Sequence, residues 1–346
     1  MRIRFSCEKK RSGIQENGIS NLSKLTHVLS GFLNILQPPT VLQIEPTTRC
    51  NLKCKHCLRS SKTNGDMSLN LFKSIINQLG KPKLLARRIY LTGLGEPLLN
   101  PEICSMVEYA KERGFEAGFT SNFTLVNRTV ALNLIKAGLD HLSISIDGAS
   151  HRTFEKIRVG GSFGEVVENV RVFVGAKAES LSRTPKLVFS AVITDQNVDE
   201  MHQIVKLGEA LGVDGVCFSE RIMPNQSDNR NDYLLSLGRE ELCGRQLDIE
   251  LVRFQEKQLP CLATRGCYVT FDGQILPCSS IAQMVPREDY PKFTFGSLDA
   301  KSFHDIWYSR NYREFRTRLI LGSYQQFCQG CPQRRTQANV CPRVND

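Results

Sequence analysis

Three cysteines stand close together in the stretch 49–57, at the spacing C-x3-C-x2-C. They are Cys50, Cys54 and Cys57, and they follow a short apolar run at 41–45. Thiolates are the ligands that iron–sulfur clusters and other soft metal centres take from proteins. Three thiolates leave one iron of a four-iron cluster without a protein ligand. The spacing therefore indicates a cluster that can bind another molecule and act on it.

A second set of cysteines follows residue 259. Cys278 ends a predicted β-hairpin that turns at Asp272-Gly273, and a C-x2-C pair comes much later. A hairpin cysteine combined with C-x2-C occurs in zinc ribbons as well as in iron–sulfur domains, so the spacing alone leaves zinc and iron equally open. The set consists of Cys261, Cys267, Cys278, Cys328, Cys331 and Cys341.

The composition is that of an ordinary globular protein, with 41% hydrophobic and 23% charged residues in a chain of 346. Thirteen cysteines, an odd number grouped in short-spaced sets, argue against a disulfide framework and for metal binding in a reducing compartment. The N-terminus lacks the apolar core of a secretory signal, and no run of about 18 apolar residues is present to span a bilayer. We therefore expect a cytoplasmic protein.

The formal net charge is +10, from 45 basic and 35 acidic residues. A zinc-binding protein that binds nucleic acid is one interpretation of this charge. The basic residues are dispersed, however, and no array of basic and aromatic residues stands out, so we do not expect nucleic acid as a partner. A basic surface also suits an acidic redox protein.

Short apolar runs alternate with helical patterns between residues 40 and 220. This alternation predicts βαβ units and a parallel sheet, which can be an open doubly wound sheet or most of a barrel. In both folds the active site lies at the carboxyl ends of the strands. The predicted strands cover 41–45, 88–92, 115–120, 141–147, 186–193 and 213–219, and the predicted helices lie near 68–80, 101–113, 127–137, 163–178 and 198–211.

Three other regions flank this core. The first contains a helix whose apolar positions run over 22–36, and the second leads into a helix near 238–246. The third has a helical stretch over 303–319. The predicted regions are a basic leader and helix at 1–39, the core at 40–220, a linker or lid at 221–258, and a cysteine-rich domain at 259–346.

Glycines and polar residues lie at the carboxyl ends of the predicted strands. Gly93, Gly95 and Glu96 follow the second strand, where glycine lets the backbone approach a ligand and a carboxylate can hold an ammonium or hydroxyl group. Asn122 follows the third strand and Ser145 lies in the fourth. Each is also common turn chemistry, but their presence at one rim with the cysteine loop favours a functional site.

These motifs, in this order, resemble those of the radical SAM enzymes. The resemblance rests on the cysteine triplet after the first strand, Gly-Leu-Gly-Glu-Pro at 93–97 and Ser-Ile-Asp-Gly at 145–148. The C-terminal motifs Asp-Gly-x-x-x-Pro-Cys, Gly-Ser-Leu near Ile-Trp, and C-x2-C-Pro resemble the SPASM/Twitch extensions of that family. The likeness covers about residues 40–335. It implies a partial (β/α)6 TIM-like barrel followed by a small α+β auxiliary-cluster domain.

The resemblance implies that Cys50, Cys54 and Cys57 bind a 4Fe-4S cluster whose open iron holds S-adenosylmethionine. In the family, reductive cleavage of that molecule yields a 5′-deoxyadenosyl radical, which abstracts a hydrogen atom from the substrate. The family often has Gly-Gly-Glu-Pro, and Leu94 is an insertion relative to that form. The positions that match contacts to S-adenosylmethionine are Gly93, Gly95, Glu96, Asn122, Ser145 and Arg158.

The resemblance also selects iron over zinc for the C-terminal cysteines and implies one auxiliary 4Fe-4S cluster. Cys261 is favoured over its alternative Cys267 as the first ligand, because that ligand usually precedes the hairpin in the family. Cys341 has no assigned role. The implied ligands are Cys261, Cys278, Cys328 and Cys331.

The expected function is that of a radical SAM oxidoreductase or maturase, which dehydrogenates or otherwise modifies a natural-product intermediate or a peptide. A flavodoxin- or ferredoxin-type protein is the expected electron donor. A redox-neutral peptide epimerase or cross-linking maturase is the alternative. Cys217, on the last predicted strand, is a candidate hydrogen donor for an epimerase, although such a cysteine is more often a small core residue. No motif identifies the substrate or the catalytic base.

Overall fold

The computed structural model of the chain describes residues 2–3, 35–58, 64–80, 88–220, 248–252, 261–323 and 328. Several predictions fall outside these ranges. They are the helix over 22–36, apart from its last two residues, the helix near 238–246, and the roles of Cys331 and Cys341.

Within the described residues, ten strands form one sheet. They are β1 (Arg2–Ile3), β2 (Val41–Ile44), β3 (Arg88–Leu91), β4 (Glu116–Ser121), β5 (His141–Ser145), β6 (Lys186–Ile193), β7 (Gly215–Glu220), β8 (Asp248–Val252), β9 (Gly266–Val269) and β10 (Ile275–Leu276). Their order is β1-β8-β7-β6-β5-β4-β3-β2-β9-β10, and β2 to β9 pair in parallel. A doubly wound sheet reverses its strand order at a switch point. The unreversed order from β2 to β8 is that of a partial TIM-like barrel, so the implied fold is confirmed.

Most of the predicted helices are present. The helices are α1 (Leu69–Leu79), α2 (Ile103–Glu112), α3 (Arg128–Lys136), α4 (His151–Ile157), α5 (Phe163–Glu179), α6 (Met201–Leu211), α7 (Ser279–Met284), α8 (Phe303–Trp307) and α9 (Arg310–Ile320). Four elements were not predicted. The short helices α4 and α7 follow β5 and β10, β1 lies in the predicted N-terminal leader, and β8 lies inside the stretch predicted as a linker or lid. In the described part of the chain, no helix has the length and apolar character needed to cross a membrane.

The helical stretch predicted over 303–319 is two helices rather than one. The side chain of Ser302 accepts a hydrogen bond from Asp305 N at the start of α8. Ser309 accepts one in the same way from Tyr312 N at the start of α9. A serine cap satisfies an N–H group that the first turn leaves open, so Ser309 begins a new helix where the apolar pattern alone suggested continuity.

The two faces of the barrel strands differ in character. On β6, Leu187, Phe189 and Ala191 are fully buried and join the apolar core that the helices cover. The alternate residues on the same strand point to the opposite, inner face. Applied to each barrel strand, this alternation gives an inner face rich in small and polar side chains. These include Gln43, Thr120, Ser143, Ser145, Ser190, Cys217 and Ser219.

The C-terminal hairpin belongs to the same sheet. Strand β9 pairs in parallel with β2, from Val41 opposite Gly266 to Ile44 opposite Val269. Strand β10 returns antiparallel to β9, and Gly273 in the turn has a φ of 84°, a conformation that favours glycine. The predicted Asp-Gly hairpin is therefore present. It extends the barrel sheet directly beside the strand that leads into the cysteine loop.

Candidate functional site

The cysteine loop, residues 49–58, has no regular secondary structure and is held by a later part of the chain. Lys53 N donates a hydrogen bond to Val159 O, and Lys55 N donates one to Ile157 O, both at 2.9 Å. These two bonds pair the loop with the last residue of α4 and with Val159, two positions beyond it. The backbone between Cys50 and Cys57 is thereby fixed at the carboxyl ends of the barrel strands.

A buried ion pair lies beneath this loop. Asp147 is fully buried, and its Oδ2 lies 2.7 Å from Arg158 Nη2 and 3.5 Å from His56 Nε2. Its Oδ1 accepts a hydrogen bond from Val192 N at 2.7 Å. Arg158 Nη1 in turn lies 4.0 Å from Cys54 Sγ. The Asp147 carboxylate therefore holds the guanidinium beside one of the predicted cluster ligands.

Burial raises the pKa of the Cys54 thiol to about 11, and the neighbouring Arg158 guanidinium opposes that rise. A buried thiolate without a cation is unfavourable, whereas coordination to a metal deprotonates the thiol. Cys50 and Cys54 are half-buried and Cys57 is exposed. Leu52 N donates to Cys50 Sγ at 3.5 Å. The loop thus combines accessible thiols with a cation and an N–H donor.

No three His, Cys, Asp or Glu side chains in the described ranges form a group that could hold a single metal ion. A four-iron cluster makes a different demand, because each cysteine binds its own iron and the sulfur atoms stay apart. Three thiols on one fixed loop, with donors directed at two of their sulfur atoms, fit such a cluster.

Glu96 joins the ends of β3 and β4. Its side chain, 3% exposed, accepts hydrogen bonds from Ser121 Oγ at 2.8 Å, Asn122 N at 2.6 Å and Leu98 N at 3.2 Å. Burial raises the pKa of Glu96, and the bonds from Asn122, Ser121 and Leu98 oppose this rise. The carboxylate is therefore largely occupied by protein donors, and its contact with S-adenosylmethionine stays a prediction.

Asn122 connects Glu96 to the cysteine loop. Its backbone N–H binds Glu96, while its side-chain Nδ2 donates to Asn51 Oδ1 at 2.8 Å and lies 4.0 Å from Cys50 Sγ. The next residue, Phe123, has a φ of 65°, in the left-handed region that a bulky side chain rarely adopts. Such strain costs about 1–3 kcal/mol and persists where the surroundings enforce it, often at functional sites.

The two glycines of the Gly-Leu-Gly-Glu loop allow close packing against protein. A Cβ atom at Gly95 would lie 2.3 Å from Thr47 O and 2.6 Å from Arg49 O. A Cβ atom at Gly93 would lie 2.5 Å from Glu45 Cγ. The loop therefore rests on the chain that leads into the cysteine loop. Close approach to a ligand, which the sequence predicted for these glycines, is not tested by these contacts.

Ser145 and Cys217 lie in one row across the sheet. Ser145 is opposite Ser190, and Ser190 is opposite Cys217. Both Ser145 and Cys217 are buried and belong to the inner face. The structure therefore places the candidate hydrogen donor on the barrel interior, two strands from a predicted S-adenosylmethionine contact.

The described C-terminal cysteines differ in burial. Cys261, Cys278 and Cys328 are half-buried, whereas Cys267 on β9 is 5% exposed and belongs to the apolar core. Burial raises the pKa of the Cys267 thiol to about 12. Half-buried thiols suit cluster ligation, so the donor set fits an auxiliary cluster. The fourth predicted ligand, Cys331, lies outside the described residues.

Sequence reasoning missed three charged or titratable residues of the site. Asp147 was seen only as part of a motif, His56 only as part of the cysteine loop, and Glu45 not at all. Glu45 is fully buried at the end of β2. A carboxylate directly after an apolar strand was the available signal, because an ionised group is rarely buried without partners.

Family models match both halves of this arrangement. A model of the radical SAM superfamily matches residues 44–208, and a model of the iron–sulfur cluster-binding SPASM domain matches residues 261–332. Together they cover more than half of the chain. This chain belongs to the radical SAM superfamily. Its C-terminal part is a SPASM domain. The match favours iron over zinc for the C-terminal cysteines, as the resemblance implied.

Three similar proteins align with this chain over most of their own length. A tungsten-containing aldehyde ferredoxin oxidoreductase cofactor-modifying protein of Pyrococcus furiosus is 26% identical, over 80% of this chain and 82% of the relative. A PqqA peptide cyclase of Rhodopseudomonas palustris is 25% identical, over 88% of this chain and 82% of the relative. The solved structure of Streptococcus suis SuiB bound to precursor peptide SuiA has a TM-score of 0.65 at 16% identity, and covers 97% of this chain and 81% of SuiB.

Family membership confirms the predicted cofactors. The radical SAM enzyme carries a 4Fe-4S cluster, binds S-adenosylmethionine and has an auxiliary cluster in its SPASM domain. Which residues hold each group is a separate question, and those assignments stay predictions.

Asp147→Asn should destabilise the protein. Removing one partner of a buried ion pair leaves the other charge uncompensated, and we expect a loss of about 3 kcal/mol in the free energy of unfolding. Anaerobic urea unfolding measures it. Glu168→Gln is the control, because its pair with Arg171 is more than half exposed on both sides and should leave stability unchanged. Equal stability of the two variants would contradict the importance of the buried pair.

Proposed function

We propose that this radical SAM enzyme modifies a peptide or a peptide-derived cofactor precursor, and that the net reaction is an oxidation. The names of the relatives support this substrate class, since one modifies a cofactor, one cyclises a peptide and one is bound to a precursor peptide. A small natural-product intermediate is the alternative substrate. A flavodoxin- or ferredoxin-type protein is the proposed donor.

The observation that carries the proposal is the pairing of β9 with β2. Strand β2 leads into the cysteine loop, and β9 lies between the predicted auxiliary ligands Cys261 and Cys278. Both sets of thiols therefore attach to adjacent strands of one sheet, with the cysteine loop after the carboxyl end of β2 and with Cys261 and Cys278 at the end of the hairpin that lies beside Val41. An oxidation needs an electron acceptor within reach of the substrate, and an auxiliary site at the opposite end of a four-residue strand supports that role.

When bound, the reduced cluster with S-adenosylmethionine would supply a hydrogen-abstracting 5′-deoxyadenosyl radical, and the auxiliary cluster would supply an acceptor for one electron as the substrate radical also loses a proton. In our proposal Cys50, Cys54 and Cys57 hold the first cluster. Arg158 stabilises the Cys54 thiolate while Asp147 holds its guanidinium in place. The contacts described above support these proposed roles.

The remaining assignments are part of the same proposal. Gly93, Gly95, Glu96 and Asn122 form the rim of the S-adenosylmethionine site together with Ser145, on the ends of β3, β4 and β5. Arg158, which lies beside Cys54, keeps its proposed contact with S-adenosylmethionine as well. The small polar residues of the inner face leave room for cofactor and substrate. We keep the predicted limits of the core at 40–220 and of the auxiliary domain at 259–346, with β8 lying between them.

Cys54→Ala should abolish the formation of 5′-deoxyadenosine from S-adenosylmethionine by anaerobic enzyme with dithionite. The reason is that the loop would lose one of three cluster ligands and the thiol that faces Arg158. Cys104→Ala is the matched control, since Cys104 is half-buried on α2 away from the loop, and it should retain the activity. Chromatographic measurement of 5′-deoxyadenosine decides. Persistent turnover in Cys54→Ala would contradict the proposed mechanism.

Cys261→Ala should lose the auxiliary cluster, whereas Cys267→Ala should keep it. Cys261 is half-buried at the entry to β9, while Cys267 is packed in the apolar core. We expect iron to fall from about eight to about four atoms per chain in the first variant only. A colorimetric iron assay on anaerobic protein measures this. The reverse pattern would reassign the first ligand to Cys267.

Epimerisation is the second candidate function, and the position of Cys217 on the inner face favours it. A thiol there can return a hydrogen atom to a substrate radical, which leaves the oxidation state of the substrate unchanged. The thiyl radical formed on Cys217 then takes one electron from the proposed flavodoxin- or ferredoxin-type donor and a proton from solvent. In deuterated water we expect deuterium at one carbon of a peptide product, and its loss in Cys217→Ala. Mass spectrometry of the product measures this. Unlabelled product from the unaltered enzyme would exclude the epimerase.

A further inference from the structure

The turn of the C-terminal hairpin, residues 270–273, lies against the segments that lead into and return from the cysteine loop. A Cβ atom at Gly65 would lie 2.0 Å from Phe271 Cε2, so the Phe271 ring rests directly on the Gly65 backbone. Gly65 O accepts a hydrogen bond from Thr48 N at 3.0 Å. The hairpin therefore supports the pair of segments from which the cysteine loop extends.

The buried carboxylate of Glu45 links this hairpin to the Gly-Leu-Gly-Glu loop. Its Oε1 accepts from Tyr268 Oη at 3.0 Å and from Leu94 N at 3.4 Å. Its Oε2 accepts from Arg287 Nη1 at 3.1 Å and from Phe271 N at 3.3 Å. Three of the four donors come from the C-terminal domain. The fourth comes from the loop that carries Glu96.

Arg287 supplies the positive charge that makes this burial tolerable. Its side chain is 8% exposed, and its Nη2 also contacts Asp272 Oδ1 at 2.9 Å. The guanidinium lies 4.4 Å from the centroid of the Phe271 ring. An ionised carboxylate in an apolar interior needs a charged or hydrogen-bonding partner. Glu45 on the barrel therefore has a buried cationic partner, Arg287, on the SPASM domain.

The loop at 93–96 is closely packed against Glu45 and its neighbours. Gly93 is packed against both the Glu45 side chain and Tyr268 Oη, where a Cβ atom would lie 2.5 and 2.8 Å away. Gly95 is packed in the same way against Thr47 O, two residues after Glu45. Close-packed contacts of this kind transmit small displacements. A shift of the Glu45 carboxylate would therefore move the loop at 93–96.

We propose that Glu45, Tyr268 and Arg287 are positioning residues, through which the SPASM domain sets the geometry of the S-adenosylmethionine site. This rests on the proposed role of the loop at 93–96 in binding that molecule. The SPASM domain then has two roles. It carries the auxiliary cluster, and its side chains hold the loop at 93–96 of the S-adenosylmethionine site in position. The competing interpretation is that Glu45, Tyr268 and Arg287 only hold the two domains together. Changing them would then lower the stability of the protein and leave its affinity for S-adenosylmethionine unchanged.

Two tyrosines give a matched pair of variants. Tyr268 and Tyr290 are each 1% exposed and belong to one apolar cluster. Tyr268 Oη donates to Glu45, whereas Tyr290 Oη donates to Ala282 O at 2.7 Å. Tyr268→Phe and Tyr290→Phe each remove one buried hydroxyl and keep the ring. They differ in whether the lost hydrogen bond reaches Glu45.

We expect Tyr268→Phe to bind S-adenosylmethionine about tenfold more weakly than the unaltered enzyme. The Glu45 carboxylate would lose one hydrogen-bond donor and shift, and the loop at 93–96 would shift with it. Tyr290→Phe should stay within about twofold of it. The affinity is read from the change that S-adenosylmethionine causes in the electron paramagnetic resonance spectrum of the reduced enzyme. Iron content and the thermal midpoint are measured on the same samples, so that cluster loss and unfolding are recognised.

Equal affinity of the two tyrosine variants, at full iron content, would overturn the positioning role and leave the proposed function intact. An unaltered enzyme whose spectrum does not respond to S-adenosylmethionine would instead overturn the proposed function itself. Arg287→Lys and Arg287→Met provide a second comparison should Tyr268→Phe fail to fold. Lysine keeps the positive charge beside Glu45, so the Arg287→Lys enzyme should bind S-adenosylmethionine more tightly than the Arg287→Met enzyme. Equal affinities there would also count against the proposal.

Discussion

The site depends on two backbone hydrogen bonds, from Lys53 and Lys55 to the carbonyl groups of Val159 and Ile157. In a loop without regular structure, buried backbone N–H groups need partners from elsewhere in the chain, and a predicted cluster ligand on a mobile loop would have no fixed geometry. Arg158 lies between the two accepting residues. The same short segment therefore holds the loop and places a cation beside Cys54, and Asp147 balances that cation. Backbone pairing, ion pair and thiol position form one unit.

The barrel could be predicted because each of its strands is a local apolar run and parallel strands have few alternative connections. The cysteine triplet could be recognised for a similar reason, since its three predicted ligands are neighbours in sequence. Four elements were not predicted, and α4 and β8 show the reasons. Helix α4 is too short for a periodic pattern. Strand β8 alternates Ile249 and Leu251 with acidic residues, but the polar stretch before it suggested a linker.

The supporting contacts could not be predicted, because they join residues far apart in the chain. Glu45 and Arg287 are separated by 242 positions, and nothing local to either residue specifies the other. For Glu96, Gly93 and Gly95 the position was predicted but the neighbouring groups were not. Their positions at the rim were predicted, whereas the donors on the carboxylate and the carbonyl groups packed against Gly95 were not. A residue type indicates the chemistry available, and the fold decides which neighbour uses it.

The pairing of β9 with β2 has a consequence for how the protein is made. In a chain that grows from its N-terminus, β2 gains β3 as a neighbour early, but its other edge stays open until residues 266–269 have been synthesised. An unpaired strand edge invites pairing with other chains, and contacts this distant in sequence form late. The cysteine loop begins a few residues after that open edge. Insertion of the first cluster into a finished site therefore has to wait for nearly the whole polypeptide.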